Sequence, residues 1–170
     1  MADNPPLDPQ PAGSEFRFEK RRADAVVTLV SGESVKGCFF IAGGTSRHEG
    51  PERIGDLLNS EAGFFPFEIQ AEGGAGTVLY NRSHIILVQV FDDEARRDPG
   101  YEVATRRVVS ILLSNGRRAD GAVRVYRPEG RDRLSDWTRQ PETFRYVEAD
   151  DATYIVNTAH IVAVTEVSGF

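Results

Sequence analysis

Residues 26–30 (Val-Val-Thr-Leu-Val) and 108–113 (Val-Val-Ser-Ile-Leu-Leu) are runs of β-branched and aliphatic positions. Runs of that length bounded by turn formers predict strands. Each ends on a tight turn, Ser31-Gly32 in one case and Asn115-Gly116 in the other. Asn-Gly favours the positive φ angles of a type I′ hairpin, so a second strand is predicted after each, over 34–42 and 117–126. A Gly/Pro loop follows, His48-Glu49-Gly50-Pro51 or Arg127-Pro128-Glu129-Gly130. The next segments, 54–59 and 134–139, place Ile54, Leu57 and Leu58, or Leu134 and Trp137, on one side of a helical turn. Third strands are predicted over 64–71 and 143–149. The last pairs, 77–80 with 85–90 and 153–156 with 161–167, flank a four-residue turn.

These elements come twice in the same order, which is the sequence mark of a repeat. Residues 28–37 match 111–121 with a one-residue gap, and Gly32 falls on Gly116 and Gly37 on Gly121 with one offset. Arg53-Ile54-Gly55-Asp56-Leu57 matches Arg133-Leu134-Ser135-Asp136-Trp137, and Phe64 matches Phe144. Val78-Leu79-Tyr80-Asn81-Arg82-Ser83-His84-Ile85 matches Tyr154-Ile155-Val156-Asn157-Thr158-Ala159-His160-Ile161.

Five short strands with hairpin links and one helical insert suggest a small barrel whose open end the helical turn plugs. The expected fold is mostly β, with two tandem five-stranded small barrels, each with a short helical insert between strands 2 and 3. Each unit is of marginal size for a core of its own, so packing of one on the other is expected. The expected boundaries are a disordered Pro-rich tail over 1–15, the first barrel over 16–91, an acidic linker over 92–104, and the second barrel over 105–170.

The order of motifs resembles the Sm-like small β-barrels. It is more similar still to an uncharacterised bacterial Sm-like small β-barrel family, here present as a tandem repeat. In that family a Leu/Ile-Ser/Gly-Asp-hydrophobic helical turn precedes a Phe-containing strand, and an Asn-x-x-His-Ile turn joins the last two strands. Ile54-Gly55-Asp56-Leu57, Phe64 and Asn81-Arg82-Ser83-His84-Ile85 carry the resemblance, and the second copy repeats it. RNA-binding Sm proteins have an Asp and an Asn after the second strand and an Arg-Gly pair in the last turn. Neither stands here, so the RNA pocket does not carry over. The resemblance implies a fold and no activity.

Composition changes this picture little. Of 170 residues, 40% are hydrophobic and 27% charged, and the net charge is -6. That balance argues against a large nucleic-acid or anionic-membrane surface. Cys38, the one cysteine, sits in an apolar run and is expected to be a buried, inert thiol. No secretory signal and no run of membrane-spanning length is visible, so a cytoplasmic protein with no membrane partner is expected. The charge is uneven, however. Residues 106–145 hold ten Arg against five acids. Arg117, Arg118, Arg127 and Arg131, with Trp137 among them, form a candidate surface for RNA or an acidic protein. A charge-balanced surface is the plainer expectation.

The repeated polar residues have structural uses that come first. Asn81 and Asn157 can cap the turn through side-chain to backbone hydrogen bonds while His84 and His160 close it. Asp56 and Asp136 can satisfy the amides that open the helical turn. The two His could instead bind a metal, but no further ligand stands at metal spacing. No phosphate loop, nucleophile elbow or zinc-protease motif occurs, and Gly73-Gly74-Ala75-Gly76 lies between strands instead of opening a helix. The charged run 17–22 lacks the second motif that cyclic-dinucleotide-binding PilZ domains need. No catalytic residue, no metal and no cofactor is therefore expected. The expected function is a non-enzymatic protein-interaction or assembly module, with self-association open. The alternative is RNA binding through the Arg-rich second copy, and an enzyme using the two His ranks last.

Overall fold

The computed structural model describes residues 20–44, 50–128 and 130–168. The predicted tail over 1–15 lies outside them, as do His48 and Glu129. The first five strands are β1 (Lys20–Leu29), β2 (Ser34–Ala42), β3 (Phe64–Ile69), β4 (Gly76–Asn81) and β5 (Ile85–Val90), with helix α1 (Ile54–Ser60) between β2 and β3. The second five are β6 (Thr105–Leu113), β7 (Arg118–Val125), β8 (Phe144–Glu148), β9 (Thr153–Asn157) and β10 (Ile161–Glu166), with helix α2 (Leu134–Thr138) between β7 and β8. A 3-10 turn joins β4 to β5 and another joins β9 to β10.

The fold is mostly β, but the expected pair of barrels is corrected. All ten strands belong to one open antiparallel sheet, in the order β10-β6-β7-β8-β9-β5-β1-β2-β3-β4. Within either half the fourth and fifth strands do not pair, so neither half closes on itself by hydrogen bonds. The physical reason lies at the centre of the sheet. The edge of β5 is taken by β9 of the other half, with Leu87 opposite Val156 and Val90 opposite Thr153.

The same local chemistry recurs in both halves. The amide of Leu29 donates to Glu33 and that of Gly32 to Leu29, just as Leu113 donates to Arg117 and Gly116 to Leu113. These bonds enclose a three-residue loop in which only the glycine has positive φ, 89° at Gly32 and 83° at Gly116. The turn is thus a tight turn followed by a left-handed glycine, and the type I′ expectation is corrected. Asn115 keeps negative φ because its side chain accepts from the amide of Arg117 (3.0 Å). Val30 donates to the carbonyl of His84 (2.9 Å), and Ser114 to that of His160 (2.8 Å). Arg82 donates to Gly63 and Thr158 to Thr143, both at 2.8 Å.

Two apolar clusters hold the sheet, and each borrows from the other half. The first gathers Val27, Phe39, Ile41, Leu58, Phe65, Phe67 and Val88, and takes in Phe144 and Ile155 from the second half. Phe39 stacks on Phe65 (5.2 Å) and meets the edge of Phe67 (5.0 Å). The second gathers Val109, Ile111, Leu113, Val123, Val125, Trp137 and Val147, and takes in Ile86 and Leu87 from the first half. A buried side chain of this kind stabilises by about 1.5–3 kcal/mol. The exchanged residues therefore tie the halves together more strongly than the backbone ladder alone.

Candidate interaction surfaces

The inner junction is built from three layers. At its centre runs the β5–β9 ladder. On one side Asn157 is buried, and its Nδ2 donates to the carbonyl of Ile85 (2.9 Å) while its Oδ1 accepts from the amide of Ala159 (3.0 Å). His160 donates from Nε2 to the carbonyl of Ser83 (2.7 Å), and its Nδ1 lies 3.0 Å from Ser114 Oγ. On the other side α1 packs on β8. Asn59 exchanges two hydrogen bonds with the backbone of Phe144, at 2.8 and 2.9 Å. Gly55 lies so close to Tyr146 that a Cβ there would stand 2.2 Å from the phenolic oxygen.

The segment between the halves is part of this junction. Two 3-10 turns, Glu94–Arg97 and Tyr101–Val103, fold it against the sheet. Glu94 is only 1% exposed and accepts from the amides of Ile54 (3.0 Å) and Gly55 (3.1 Å) and from the Tyr146 hydroxyl (2.9 Å). Burial pushes its carboxyl above the usual carboxylate range, and the three donors pull it back only in part. Burial, with the Glu94 charge beside it, raises the Tyr146 hydroxyl well above its ordinary value. Tyr101 bonds Glu148, which also pairs with Arg124 (3.0 Å).

A cleft of about 500 Å³ opens over this junction, with Arg53, Asn59, Arg124, Tyr126, Arg145 and Glu148 on its walls. Three of its arginines, Arg53, Arg124 and Arg145, are committed to neighbours, while Arg127 on the same wall is exposed. Arg53 holds Asp56 and Asp98, each at 2.8 Å, and Arg145 donates to the carbonyls of Trp137 and Gln140 behind α2. Burial lowers the Arg145 guanidinium from its usual value. Among the described residues no group of three or more His, Cys, Asp or Glu converges as a metal site would require.

The residues singled out from the sequence fall in separate places. Asn81 and Asn157 occupy equivalent turns, and each accepts from the amide two residues on. His84 is exposed, whereas His160 bridges the halves. Asp56 and Asp136 each accept from the amide three residues back, at 3.1 and 3.0 Å. Arg117, Arg118, Arg127 and Arg131 are exposed, and Arg117 reaches back toward Thr28 of the other half (3.5 Å). Trp137 does not join them as an exposed ring. It is 2% exposed, sits in the second core, and is covered by Arg145 at 5.0 Å. An aromatic among Arg is ambiguous in sequence, because a plug residue and a stacking platform look alike.

The outer edges of the sheet are the surfaces whose residues sequence reading did not single out. β4 and β10 end the strand order, and neither has a second partner strand among the described residues. Leu79 on β4 and Val162 on β10 are 64% and 63% exposed, and Phe64 on the adjoining β3 is 62% exposed. Their counterparts in the other half, Ile155, Ile86 and Phe144, are 0%, 0% and 4% exposed. Both members of each pair are apolar, so no hydropathy pattern distinguishes the covered one from the open one.

Comparison with known proteins finds no family model, no curated protein and no solved structure that matches this chain. Among the described residues no helix is long and apolar enough to cross a membrane.

Proposed function

We propose that the chain is a non-enzymatic protein-interaction or assembly module made of two tandem Sm-like units joined edge to edge. One observation carries this reading: apolar positions buried at the inner junction have exposed equivalents on the two outer strands. An open strand edge flanked by apolar side chains is a template for another strand. The partner is protein, engaged by backbone pairing with side-chain pockets on both sides. The two units descend from one five-strand plan, as the recurring loop, turn and cap hydrogen bonds support.

RNA binding through the second half is the alternative. Arg106, Arg117, Arg118, Arg127, Arg131 and Arg139 are all exposed, and this favours an anionic partner. Against it, Trp137 offers no stacking face, and Arg107 and Arg124 are paired with Asp132 and Glu148.

Both readings meet one experiment. Wild-type chain and the doubly blocked variant Leu79→Lys/Val162→Lys are used as baits in extract of the producing cell. Both substituted residues are exposed, so the fold should hold, and Lys is a natural guard of strand edges. Capture lost in the blocked variant and insensitive to ribonuclease is the expected result. Equal capture by both baits would contradict edge recognition. Capture abolished by ribonuclease alone would favour the RNA reading.

A further inference from the structure

We infer that the groove between the 3-10 turn Tyr101–Val103 and the end of β7 is a polyproline site, and that its occupant is this chain's own segment Pro5-Pro6-Leu7-Asp8-Pro9-Gln10-Pro11. The inference goes beyond the assembly reading above and makes no use of the outer edges of the sheet.

The groove has a volume of about 440 Å³ and adjoins the cleft over the inner junction, sharing Pro99, Tyr126 and Arg127 with it. Gly100 lies between its two sides. A Cβ there would stand 3.8 Å from the Tyr126 ring and 3.8 Å from a Val103 methyl, so the bare glycine leaves the space between them open. Ala104 and Pro128 complete the lining. Val103 is 86% exposed and Tyr126 38%, so neither is held there by burial in a core. The Tyr126 hydroxyl bonds Asp98, which also pairs with Arg53 (2.8 Å), and this anchors the ring by its tip.

An anchored aromatic ring facing an aliphatic side chain, with prolines at either end, is a surface that proline-rich segments fill. Such segments pack their rings into shallow aromatic slots at little entropic cost, because proline already fixes its own φ near −65°. Four of the residues 5, 6, 7, 8, 9, 10 and 11 are proline. Charge agrees with this occupant. Residues 1–19 hold the acids Asp3, Asp8, Glu15 and Glu19 against Arg17. Arg127 lines the groove and Arg106 follows it in the chain, and both are exposed, as is Glu102. Asp8 stands inside the proline run, so docking the prolines would bring its carboxylate to the Arg127 rim.

The described chain also begins at the right end of the sheet. Lys20 pairs with Ala42 at the end of β2, and the carbonyl of Ala42 accepts from the amide of Glu52 (3.0 Å). The next residue is Arg53, which holds Asp98, and Asp98 holds Tyr126. A short run of contacts thus leads from Lys20 to the groove. Pro11 and Pro5 precede Lys20 by nine and fifteen residues. Those lengths span up to about 30 and 50 Å when extended. The segment can therefore reach the groove of its own chain.

Line broadening by a spin label tests this in the full chain. Gln10→Cys carries a nitroxide, and Cys38, 3% exposed, is shielded from the label. The amides of Gly100, Val103, Ala104, Tyr126 and Arg127 should lose most of their intensity, while those of β4 and β10 keep theirs. Val103→Glu, at an exposed position, should restore the lost intensity. The fourfold variant Pro5→Ser/Pro6→Ser/Pro9→Ser/Pro11→Ser should do the same, and neither change touches a core. Isotope-labelled chain without nitroxide, mixed with spin-labelled chain of natural abundance, should show no broadening. Groove amides of full intensity in the spin-labelled chain overturn the inference. So does broadening that survives the four serines, because that reflects tethering alone. Equal broadening in the mixed sample overturns it as well, since the contact would then be made between copies.

Discussion

Glu94→Ala should destabilise the protein by roughly 3–5 kcal/mol, since it orphans two buried amides and a buried hydroxyl at about 1–3 kcal/mol each. The donors are the amides of Ile54 and Gly55 and the hydroxyl of Tyr146, all within 3.1 Å of the carboxylate. Such a loss rivals the whole stability of an ordinary domain. Glu94→Gln keeps one acceptor oxygen and should lose less. The two also differ with pH. The folded protein holds the Glu94 proton more tightly than the unfolded chain does, because burial raises that carboxyl. Its contribution is therefore fullest below the unfolded value of about 4.3 and falls as pH rises through the raised folded value. Gln has no such term, so the deficit of Glu94→Gln relative to wild type should shrink across that window. Urea unfolding at several pH values reads both effects. A deficit that grows with rising pH would show that the carboxylate is the favoured form.

Gly37→Ala and Gly121→Ala should each cost roughly 3 kcal/mol, among the larger losses a single methyl can cause. Both glycines sit where the second strand of a half comes close to the backbone of the third. A Cβ on Gly37 would stand 2.1 Å from the backbone oxygen of Glu68, and one on Gly121 would stand 2.5 Å from that of Glu148. Neither obstacle can swing away, since each is main chain within a ladder. The Gly37 variant should suffer more, because its Cβ also meets the Phe67 ring at 2.6 Å. Paired losses at these two sites follow from the equivalence of the halves. Thermal melts in which one variant is near neutral would break it.

The strands were legible because each is a short apolar run between turn formers. β2 and β5 run as expected, and the helical inserts fall where Ile54, Leu58, Leu134 and Trp137 face inward. β1 is longer than its apolar run. It starts at Lys20, and the charged positions Arg21 and Arg22 extend along β2 with Arg22 paired to Glu68 (2.9 Å). The joining of the halves was hidden. Nothing in the sequence distinguishes a β5 edge that closes on its own β4 from one that pairs with β9, because both partners alternate alike. Glu94 was hidden for another reason. In an acidic stretch a buried acceptor looks the same as a solvated charge, and only the three converging donors mark it out.

The central claim is that one joint is made inside the chain and the same joint is left open at both its ends. Amide hydrogen exchange of β4, β5, β9 and β10 tests it most directly. β5 and β9, each paired on both sides, should be strongly protected, while the outward-facing amides of β4 and β10 exchange rapidly. Rapid exchange in β9, or protection of β4 equal to that of β9, would contradict it.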